Sequence, residues 1–90
     1  MRFVWDSKKA ASNVLKHDIG FEEASTVFLD GLAATGADPD HSVGESRWLT
    51  FGISAFGNFL VVAHTDENDT LRLISARPGT KRERKLYEET

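Results

Sequence analysis

The chain has 90 residues, of which 40% are hydrophobic and 28% charged, and its formal net charge is −3. A chain this short can bury one core, which leaves no room for a second domain or a large enclosed substrate chamber. It contains no cysteine, so a disulfide framework and a thiolate metal site are excluded. Its apolar runs are far shorter than a membrane-spanning helix requires, and its N-terminus lacks the pattern of a signal peptide. We therefore expect a single cytoplasmic domain over residues 1–90, with no membrane partner.

The net charge conceals an uneven distribution of charge along the chain. Residues 1–45 contain four basic and eight acidic side chains, whereas residues 46–90 contain seven basic and six acidic ones. Five of the basic residues lie within Arg77–Lys85. Because local charge rather than net charge determines where a phosphate group can bind, the acidic total does not exclude a nucleic-acid ligand.

The N-terminal third of the chain predicts a strand and two helices. Arg2–Trp5 has the composition of a short strand, and Asp6 is a suitable N-cap for a helix over Ser7–His17. Gly20 is expected to end this helix, and the apolar spacing that follows predicts a second short helix over Glu22–Leu29. The stripe of the first helix that is expected to be buried consists of Ala10, Ala11, Val14 and Leu15, and the residues expected off that stripe are Lys8, Lys9, Asn13 and Lys16.

The region between residues 30 and 46 has a weaker pattern. A strand over Leu32–Thr35 is one interpretation, and the turn-forming residues of Gly36–Gly44 predict a loop. Within that loop, Asp38, Asp40 and His41 could chelate an ion. A loop stabilised by Asx-turns explains the same residues without a ligand, and we favour it.

The second half of the chain predicts an antiparallel meander of three strands. The strand-like runs are Arg47–Ser54, Asn58–Thr65 and Thr70–Arg77, and turn-forming residues separate them. If Gly57 adopts the left-handed conformation of a type I turn with a bulge, Ser54 pairs with Asn58. One face of the hairpin would then carry Leu49, Phe51, Ile53, Phe59, Val61 and Ala63, and the other would carry Trp48, Thr50, Leu60, Val62 and His64.

A third helix is expected at the C-terminus. Thr80 and Glu83 form a capping-box signature at the start of a helix over Lys81–Glu89. The order of elements predicts an α+β fold with one antiparallel sheet of four to five strands, in which the first two helices cover one face.

No pattern in the chain indicates a metal or cofactor site. The three histidines lack metal-ligand spacing, the acidic residues do not form an EF-hand loop, and the glycines do not form a phosphate-binding loop. We therefore expect neither a metal nor a cofactor.

The basic segment Arg77–Lys85 is the most informative stretch for function. One interpretation is a solvated helix whose basic residues are balanced by glutamates. The other is a phosphate-binding surface, which is favoured if Arg47 and Arg72 converge on the same sheet edge, because the planar guanidinium group matches the geometry of phosphate.

Three further residues have a structural and a functional interpretation. His64 either closes a hydrophobic strand or titrates near neutral pH beside the arginines. Tyr87 either packs the last helix against the sheet, or it contacts a phosphate through its hydroxyl group or a base through its ring. Glu45 either forms an ion pair with Arg47 or acts as a carboxylate base.

A set of short motifs runs in order through nearly the whole chain. The N-terminal motifs are Phe3-x-Trp5-Asp6-x-x-Lys9-Ala10-x-x-Asn13-x-x-Lys16-His17 and Phe21-Glu22-Glu23-Ala24. The central motifs are Val27-Phe28, Asp38-Pro39-Asp40-His41-Ser42, Gly44-Glu45-x-Arg47 and Gly52. The C-terminal motifs are Val61-Val62-x-His64-Thr65, Ile74-Ser75-Ala76-Arg77 and Thr80-x-Arg82-Glu83-Arg84-x-x-Tyr87-Glu88. Taken in order, this set resembles the BrnT-type toxins of type II toxin–antitoxin systems. The chain departs from the family pattern at Pro78-Gly79, where a basic residue and alanine are commoner, and at Asp18, where glycine is usual.

The resemblance implies a RelE-like fold and a ribonuclease that cleaves RNA without a metal ion and thereby inhibits translation. The implied partner is a BrnA-like antitoxin, and the implied substrate is RNA. The toxin is expected as a homodimer within the toxin–antitoxin complex. Operator DNA is expected to contact the toxin only through the antitoxin.

RNA cleavage of the kind that the resemblance implies needs three chemical groups. They are a base for the 2′-hydroxyl proton, a cation for the charge that develops on the phosphate, and an acid for the leaving 5′-oxygen. Arg77 is the first candidate for the cation and Arg47 the second, while His64 or Glu45 could be the base. Tyr87 or a neighbouring arginine could orient the substrate or donate a proton. The residues expected to bind the RNA backbone are Arg72, Lys81, Arg82, Arg84, Lys85, Lys9 and Lys16.

Two other functions are compatible with the same residues. A non-catalytic nucleic-acid-binding or corepressor module of the same fold would use the basic segment without cleaving RNA. A structural interaction domain would not bind RNA, and salt-dependent RNA binding would count against it.

Overall fold

The computed structural model describes residues 1–40 and 46–89. In chain order the elements are β1 (Arg2–Trp5), α1 (Ser7–His17), α2 (Phe21–Thr26), a 3-10 turn (Val27–Leu29), β2 (Ala34–Ala37), β3 (Trp48–Ile53), β4 (Phe59–Glu67), β5 (Thr70–Pro78) and α3 (Lys81–Glu88). The predicted α+β class is confirmed. No helix in these two ranges is long and apolar enough to cross a membrane.

The strands form one mixed sheet in the order β1-β5-β4-β3-β2. The strands from β2 to β5 are antiparallel neighbours, as predicted, whereas β1 lies parallel to β5 at the sheet edge. Two contacts hold the starts of these two strands together. The N–H of Arg2 donates to the carbonyl oxygen of Asp69 at 2.9 Å, and the N-terminal ammonium group lies 3.0 Å from the carboxylate of the same residue.

The hairpin of β3 and β4 has the predicted turn and register. Gly57 has φ 84°, its N–H donates to the carbonyl oxygen of Ser54, and the N–H of Ser54 donates to the carbonyl oxygen of Asn58. The side of the sheet that we call the outer face carries Leu49, Phe51, Ile53, Phe59, Val61 and Ala63. The opposite side, which we call the inner face, carries Trp48, Thr50, Leu60, Val62 and His64.

A bulge interrupts the pairing of β5 with β4. Ala63 pairs with Ser75, but the next residue, His64, pairs with Leu73. Ile74 is therefore an extra residue in β5, and it shifts the alternation of side chains between the two faces by one position.

The bulge determines which side chains of β5 share a face. Leu73 and Ala76 are three residues apart, yet both lie on the inner face, opposite His64 and Val62. Arg72 and Arg77 are five residues apart, yet both lie on the outer face. Strict alternation would have separated the members of each pair.

The hydrophobic core lies between the inner face and the first two helices. Its buried members are Ile19, Phe21, Ala24, Val27, Leu60, Val62, Leu73 and Ala76. The helix α3 lies on the other side of the sheet, where the ring of Tyr87 is 5.2 Å from the ring of Phe59. The first two helices pack against the inner face.

The predicted buried stripe of α1 is wrong in part. Ala10 packs at the margin of the core, but Leu15 is 88% exposed, Val14 is 44% exposed and Ala11 is exposed. The buried residue of this helix is Asn13, which is only 5% exposed. Apolar spacing alone therefore predicted burial for three residues of this helix that are exposed, and it did not predict the burial of Asn13.

The side-chain amide of Asn13 explains this orientation. Its Nδ2 donates to the carbonyl oxygens of Ile19 and Ala76, both at 2.9 Å, and its Oδ1 accepts from the N–H of Ala76 at 3.0 Å. The pairing of β1 with β5 ends where Trp5 meets Leu73. Asn13 therefore supplies the hydrogen bonds that β5 would otherwise receive from a neighbouring strand beyond that point.

The boundaries of the first two helices differ slightly from the expectation. Asp6 caps α1 as predicted, because its carboxylate accepts from the N–H of Lys8 at 2.7 Å. The helix ends at Asp18, which adopts the left-handed conformation with φ 57°, and Gly20 instead precedes α2. Glycine is favoured in that conformation, which gives a physical reason for the expectation of glycine at the position of Asp18.

The predicted second helix and the strand after it are shifted. The expected helix over Glu22–Leu29 is α2 followed by the 3-10 turn, and the expected strand over Leu32–Thr35 is β2, which begins at Ala34. Asp30 causes part of this shift, because its carboxylate accepts from the N–H of Leu32 and forms a turn. Residues 41–44 of the predicted loop lie outside the described residues.

Replacing Asn13 with alanine should lower the free energy of unfolding by about 2–4 kcal/mol. The substitution leaves the N–H and the carbonyl oxygen of Ala76 buried without these partners, and each such group costs about 1–3 kcal/mol. Denaturation by urea measures the change. Leu15→Ala is the control on the same helix and should change stability by less than about 0.5 kcal/mol. An equal effect of the two substitutions would contradict the role given to Asn13.

Candidate active site and nucleic-acid interface

The arginine predicted to stabilise phosphate forms a two-point ion pair with a glutamate. Arg77 lies on the outer face near the end of β5, opposite Val61. Its Nη1 and Nη2 each donate to one carboxylate oxygen of Glu83, both at 2.8 Å. This hydrogen bonding raises the pKa of Arg77 and lowers the pKa of Glu83 from 4.5 to about 2.

Glu83 also caps the helix that follows. Its Oε1 accepts from the N–H of Thr80 at 2.9 Å, and its own N–H donates to the hydroxyl of Thr80 at 3.1 Å. The predicted capping box is therefore confirmed. One carboxylate thus connects the start of α3 to the guanidinium group of Arg77.

A second polar contact holds α3 near its other end. The hydroxyl of Tyr87 donates to Oδ2 of Asp30 at 2.5 Å, and the same oxygen accepts from the N–H of Ile53 at 2.8 Å. The hydrogen bond with Asp30 raises the pKa of Tyr87 to about 12 and lowers the pKa of Asp30. The helix has no buried residue, so its position depends strongly on these contacts.

Close approach of the chain to Phe59 also positions α3. The N–H of Gly79 donates to the carbonyl oxygen of Phe59 at 3.0 Å. A Cβ atom at Gly79 would lie only 2.0 Å from the Phe59 ring. The guanidinium carbon of Arg84 lies 5.9 Å from the centre of the same ring. An alanine at this position would thus require the ring to move.

His64 lies on the opposite face from Arg77. It is 2% exposed, and its Nε2 forms a 2.7 Å hydrogen bond with the hydroxyl of Thr50, which in turn bonds that of Thr35. The ring of Phe28 packs edge-on against it at 4.9 Å. Burial lowers the pKa of His64. The structure therefore does not bring this histidine together with Arg77, as a shared site would require.

Arg47 and Arg72 lie toward the other end of the outer face. Arg72 pairs with Thr65, and Arg47 immediately precedes β3, on the side of the sheet that alternation gives to Leu49. An open hollow of about 640 Å³ beside Arg72 is lined by acidic residues as well. Because five residues of strand separate Arg72 from Arg77, by roughly 15 Å, the three arginines do not converge on one point.

Basic residues of the first and last helices form a continuous strip across the edge of β5. Lys9, Lys16 and His17 line a hollow of about 220 Å³ between α1 and β5. His17 also lines a hollow of about 460 Å³ at the start of α3, together with Lys81 and Arg84. We call these five residues the basic strip. The structure thus joins four of the predicted RNA-binding residues, while Arg82 and Lys85 are exposed elsewhere on α3.

The candidate residues of the loop after β2 are only partly described. Glu45 and His41 lie outside the described residues. Asp38 is buried, and its carboxylate accepts from the N–H of Asp40 at 3.0 Å, which is the geometry of an Asx-turn. Within residues 1–40 and 46–89, no three His, Asp or Glu side chains are grouped so that they could hold a metal ion.

Two residues that contact the candidate residues Arg77 and Tyr87 were not predicted to do so. Glu83 was interpreted as a helix cap and as one of the glutamates that balance the basic residues of the last helix, although it belongs to the motif that also contains Arg82 and Arg84. Asp30 gave no signal, because its partners Tyr87 and Ile53 are distant in sequence. Nothing in spacing could have identified a contact of this kind.

Comparison with known families identifies the class of protein. The family model described as "Ribonuclease toxin, BrnT, of type II toxin-antitoxin system" matches residues 5–83. The fold and the matched sequence therefore define a ribonuclease toxin of a type II system, a class that implies an antitoxin partner. Within this class, the chain belongs to the BrnT family, as the motif resemblance predicted.

A solved structure supports the fold. The crystal structure of the ribonuclease toxin BrnT of Brucella abortus is similar to 90% of this chain and 99% of its own, with a TM-score of 0.67 and 20% sequence identity. At this identity the similarity shows a shared fold. The search of curated proteins gave no match.

The ion pair of Glu83 should make stability depend on pH in the acid range. Because the pKa of Glu83 in the folded protein is about 2, below its ordinary value of 4.5, the contribution of the pair is present above pH 4.5 and is lost as pH falls toward 2. Glu83→Gln removes this contribution. The parent should therefore exceed the variant in stability at pH 7 by more than it does at pH 3.

Urea denaturation at the two pH values measures this difference. Glu88→Gln is the matched control on the same helix, since the contact of Glu88 with Arg84 at 3.4 Å is exposed. A difference between parent and Glu83→Gln that is as large at pH 3 as at pH 7 would show that the carboxylate charge does not stabilise the pair.

Proposed function

We propose that the protein is an endoribonuclease toxin that cleaves RNA without a metal ion and thereby inhibits translation in the cytoplasm. The observation that carries the proposal is Arg77, a two-point hydrogen-bond donor on a sheet face that lies next to a strip of basic residues. Residues 1–90 would act as one toxin domain. The BrnT family match supports the ribonuclease activity.

The ion pair suggests how the site would engage a phosphate group. Carboxylate and phosphate offer a guanidinium group the same two-point geometry, so a phosphate of RNA would compete with Glu83 for Arg77. Once Arg77 turns to the phosphate, Glu83 loses the hydrogen bonds from Arg77, which are the largest cause of its low pKa. Its pKa then rises toward the ordinary value, and it becomes a better acceptor for a proton.

The chemistry would then follow the usual course of metal-free RNA cleavage. Glu83 accepts the proton of the 2′-hydroxyl, the 2′-oxygen attacks phosphorus, and the bond from phosphorus to the 5′-oxygen breaks. Arg77 stabilises the negative charge on the phosphate oxygens. The leaving oxygen takes a proton from an acid, and Tyr87 could serve only if its hydroxyl left Asp30.

The other predicted catalytic residues receive secondary roles in this proposal. His64 would have to emerge from beneath Phe28 to reach RNA, so we assign it to the polar part of the core. Arg47 would bind phosphate away from the reacting bond. Glu45, which lies outside the described residues, is kept as an alternative base.

RNA would approach along the basic strip. Its backbone would contact Lys9, Lys16, Lys81 and Arg84, while Arg72, Arg82 and Lys85 would contribute at the periphery. Such contacts fix the register of a nucleic acid and carry no sequence information by themselves.

The proposed partner is a BrnA-like antitoxin that neutralises the toxin. The complex would contain the toxin as a homodimer, and operator DNA would be contacted only through the antitoxin. Exposed apolar side chains, such as Leu15, Leu32 and Leu86, offer surfaces for these contacts.

One observation favours a second candidate, a non-catalytic nucleic-acid-binding or corepressor module. Two nitrogens of the guanidinium group of Arg77 already bond to Glu83, and a module without catalysis would retain that pair permanently. Such a protein would bind RNA through the basic strip without cleaving it.

Arg77→Ala should lower the rate of RNA cleavage in the presence of EDTA by at least about 100-fold, because it removes the charge that stabilises the transition state. Incubation of the purified protein with RNA measures the rate, and induced expression with RNA profiling measures growth inhibition and mRNA cleavage in cells. Arg2→Ala, at the exposed start of β1, is the control and should be as active as the parent.

A folded Arg77→Ala variant that inhibits growth like the parent would refute the assignment. RNA binding without cleavage by the parent would favour the second candidate.

A further inference from the structure

The turn between β3 and β4 presents one aromatic side chain to solvent. Phe56 lies at the tip of this turn and is 77% exposed. The other turn residues, Ser54, Ala55, Gly57 and Asn58, carry no large apolar side chain. Phe56 is therefore a single ring among small and polar neighbours, unlike the centre of a broad apolar patch.

Side-chain hydrogen bonds hold this turn in one conformation. The hydroxyl of Ser54 donates to Oε2 of Glu23 at 2.6 Å, and the side-chain amide of Asn58 donates to the same oxygen at 2.8 Å. The N–H of Phe56 donates in turn to the Ser54 hydroxyl at 3.2 Å.

A contact with α2 adds to this support. The N–H of Ala55 donates to the hydroxyl of Thr26 at 2.8 Å. The turn is thus tied to α2 by both of its arms. The backbone of a turn held in this way is ordered before any ligand binds, which lowers the entropic cost of using its side chains for binding.

The basic strip begins within reach of this ring. Asn58, two residues after Phe56, lines the same hollow as His17, Lys81 and Arg84. Two residues of extended chain span at most about 7 Å. An RNA strand with a phosphate in that hollow could therefore place a neighbouring base over Phe56.

We propose that Phe56 is a base-stacking platform for single-stranded RNA whose backbone follows the basic strip. The inference rests on the proposed function, since it assumes an RNA ligand. In the proposed function the basic strip contacts only the RNA backbone, and Phe56 adds a contact to a base. Proteins that bind single-stranded nucleic acid commonly combine a positively charged track with exposed aromatic rings. Stacking tolerates all four bases, so Phe56 contributes affinity and position more than sequence preference.

The surroundings favour RNA over a protein partner for this ring. A protein anchor residue is usually enclosed by further apolar contacts that exclude water. The turn offers none, whereas cationic side chains line the adjoining hollow. The nearest described acid in this network, Glu23, has its charge partly compensated by the donors Ser54 and Asn58.

The test measures binding of the full-length protein to a fluorescently labelled 2′-O-methyl single-stranded RNA. This RNA cannot be cleaved through its 2′-oxygen, so binding is measured independently of catalysis. Phe56→Ala should weaken binding by about 5- to 100-fold, and Phe56→Trp should restore it to within about twofold of the parent. Leu29→Ala is the matched control, because Leu29 is an apolar residue of similar exposure, 83%, that lines neither hollow of the basic strip. It should bind like the parent.

The outcomes separate this inference from the proposed function. If the parent binds the RNA and Phe56→Ala binds it equally well, the stacking role is refuted and the proposed function stands. If Phe56→Ala binds RNA normally but loses affinity for the cognate antitoxin, Phe56 is a protein contact and the stacking role is again refuted. If the parent neither binds nor cleaves RNA, the proposed function itself fails, and the stacking role fails with it.

Discussion

The bulge at Ile74 is the constraint on which the two faces of this sheet depend. Without the extra residue, alternation would direct Leu73 and Ala76 to opposite sides, and one of them would leave the core. The same extra residue brings Arg72 and Arg77 onto the outer face together. A single irregularity in β5 thus allows one strand to supply both core residues and exposed cations, and bulges of this kind are often found next to active sites.

The polar contacts of the backbone explain much of the remaining architecture. Asn13 completes the hydrogen bonding of β5 where β1 ends, and this requirement outweighs the burial of Leu15 on the same helix. A buried N–H or carbonyl group without a partner costs about 1–3 kcal/mol, which is comparable with the gain from burying one leucine. The orientation of α1 is therefore determined by the side-chain amide of Asn13, which forms three hydrogen bonds, and most of the apolar stripe of this helix is left exposed.

The sequence predicted correctly those interactions whose partners are close together in the chain. The cap at Asp6, the turn at Gly57 and the capping box of Thr80 and Glu83 depend on neighbours within a few residues, and all three are confirmed. The orientation of α1 and the start of β2 depend on partners that the fold brings together, and these predictions were wrong in part. The separation of His64 from Arg77 is another long-range property, because a residue's face depends on its register in the sheet.

The role of Glu83 shows how folding and function could share one group in so small a protein. The carboxylate caps the N-terminus of α3 and bonds to Arg77, and the structure otherwise holds this helix by Tyr87 and by contacts with Phe59. A phosphate that displaced Glu83 from Arg77 would not compete for the N–H of Thr80. The hydrogen bond from this backbone N–H to the carboxylate of Glu83 would therefore remain. The helix could then stay folded while the carboxylate turned from a structural partner into a proton acceptor. In this mechanism the ion pair with Glu83 keeps Arg77 in position on the outer face. The negative charge of the RNA phosphate then draws Arg77 away from Glu83. No enclosed chamber is needed, which suits a chain of 90 residues and a polymer that lies across an open surface.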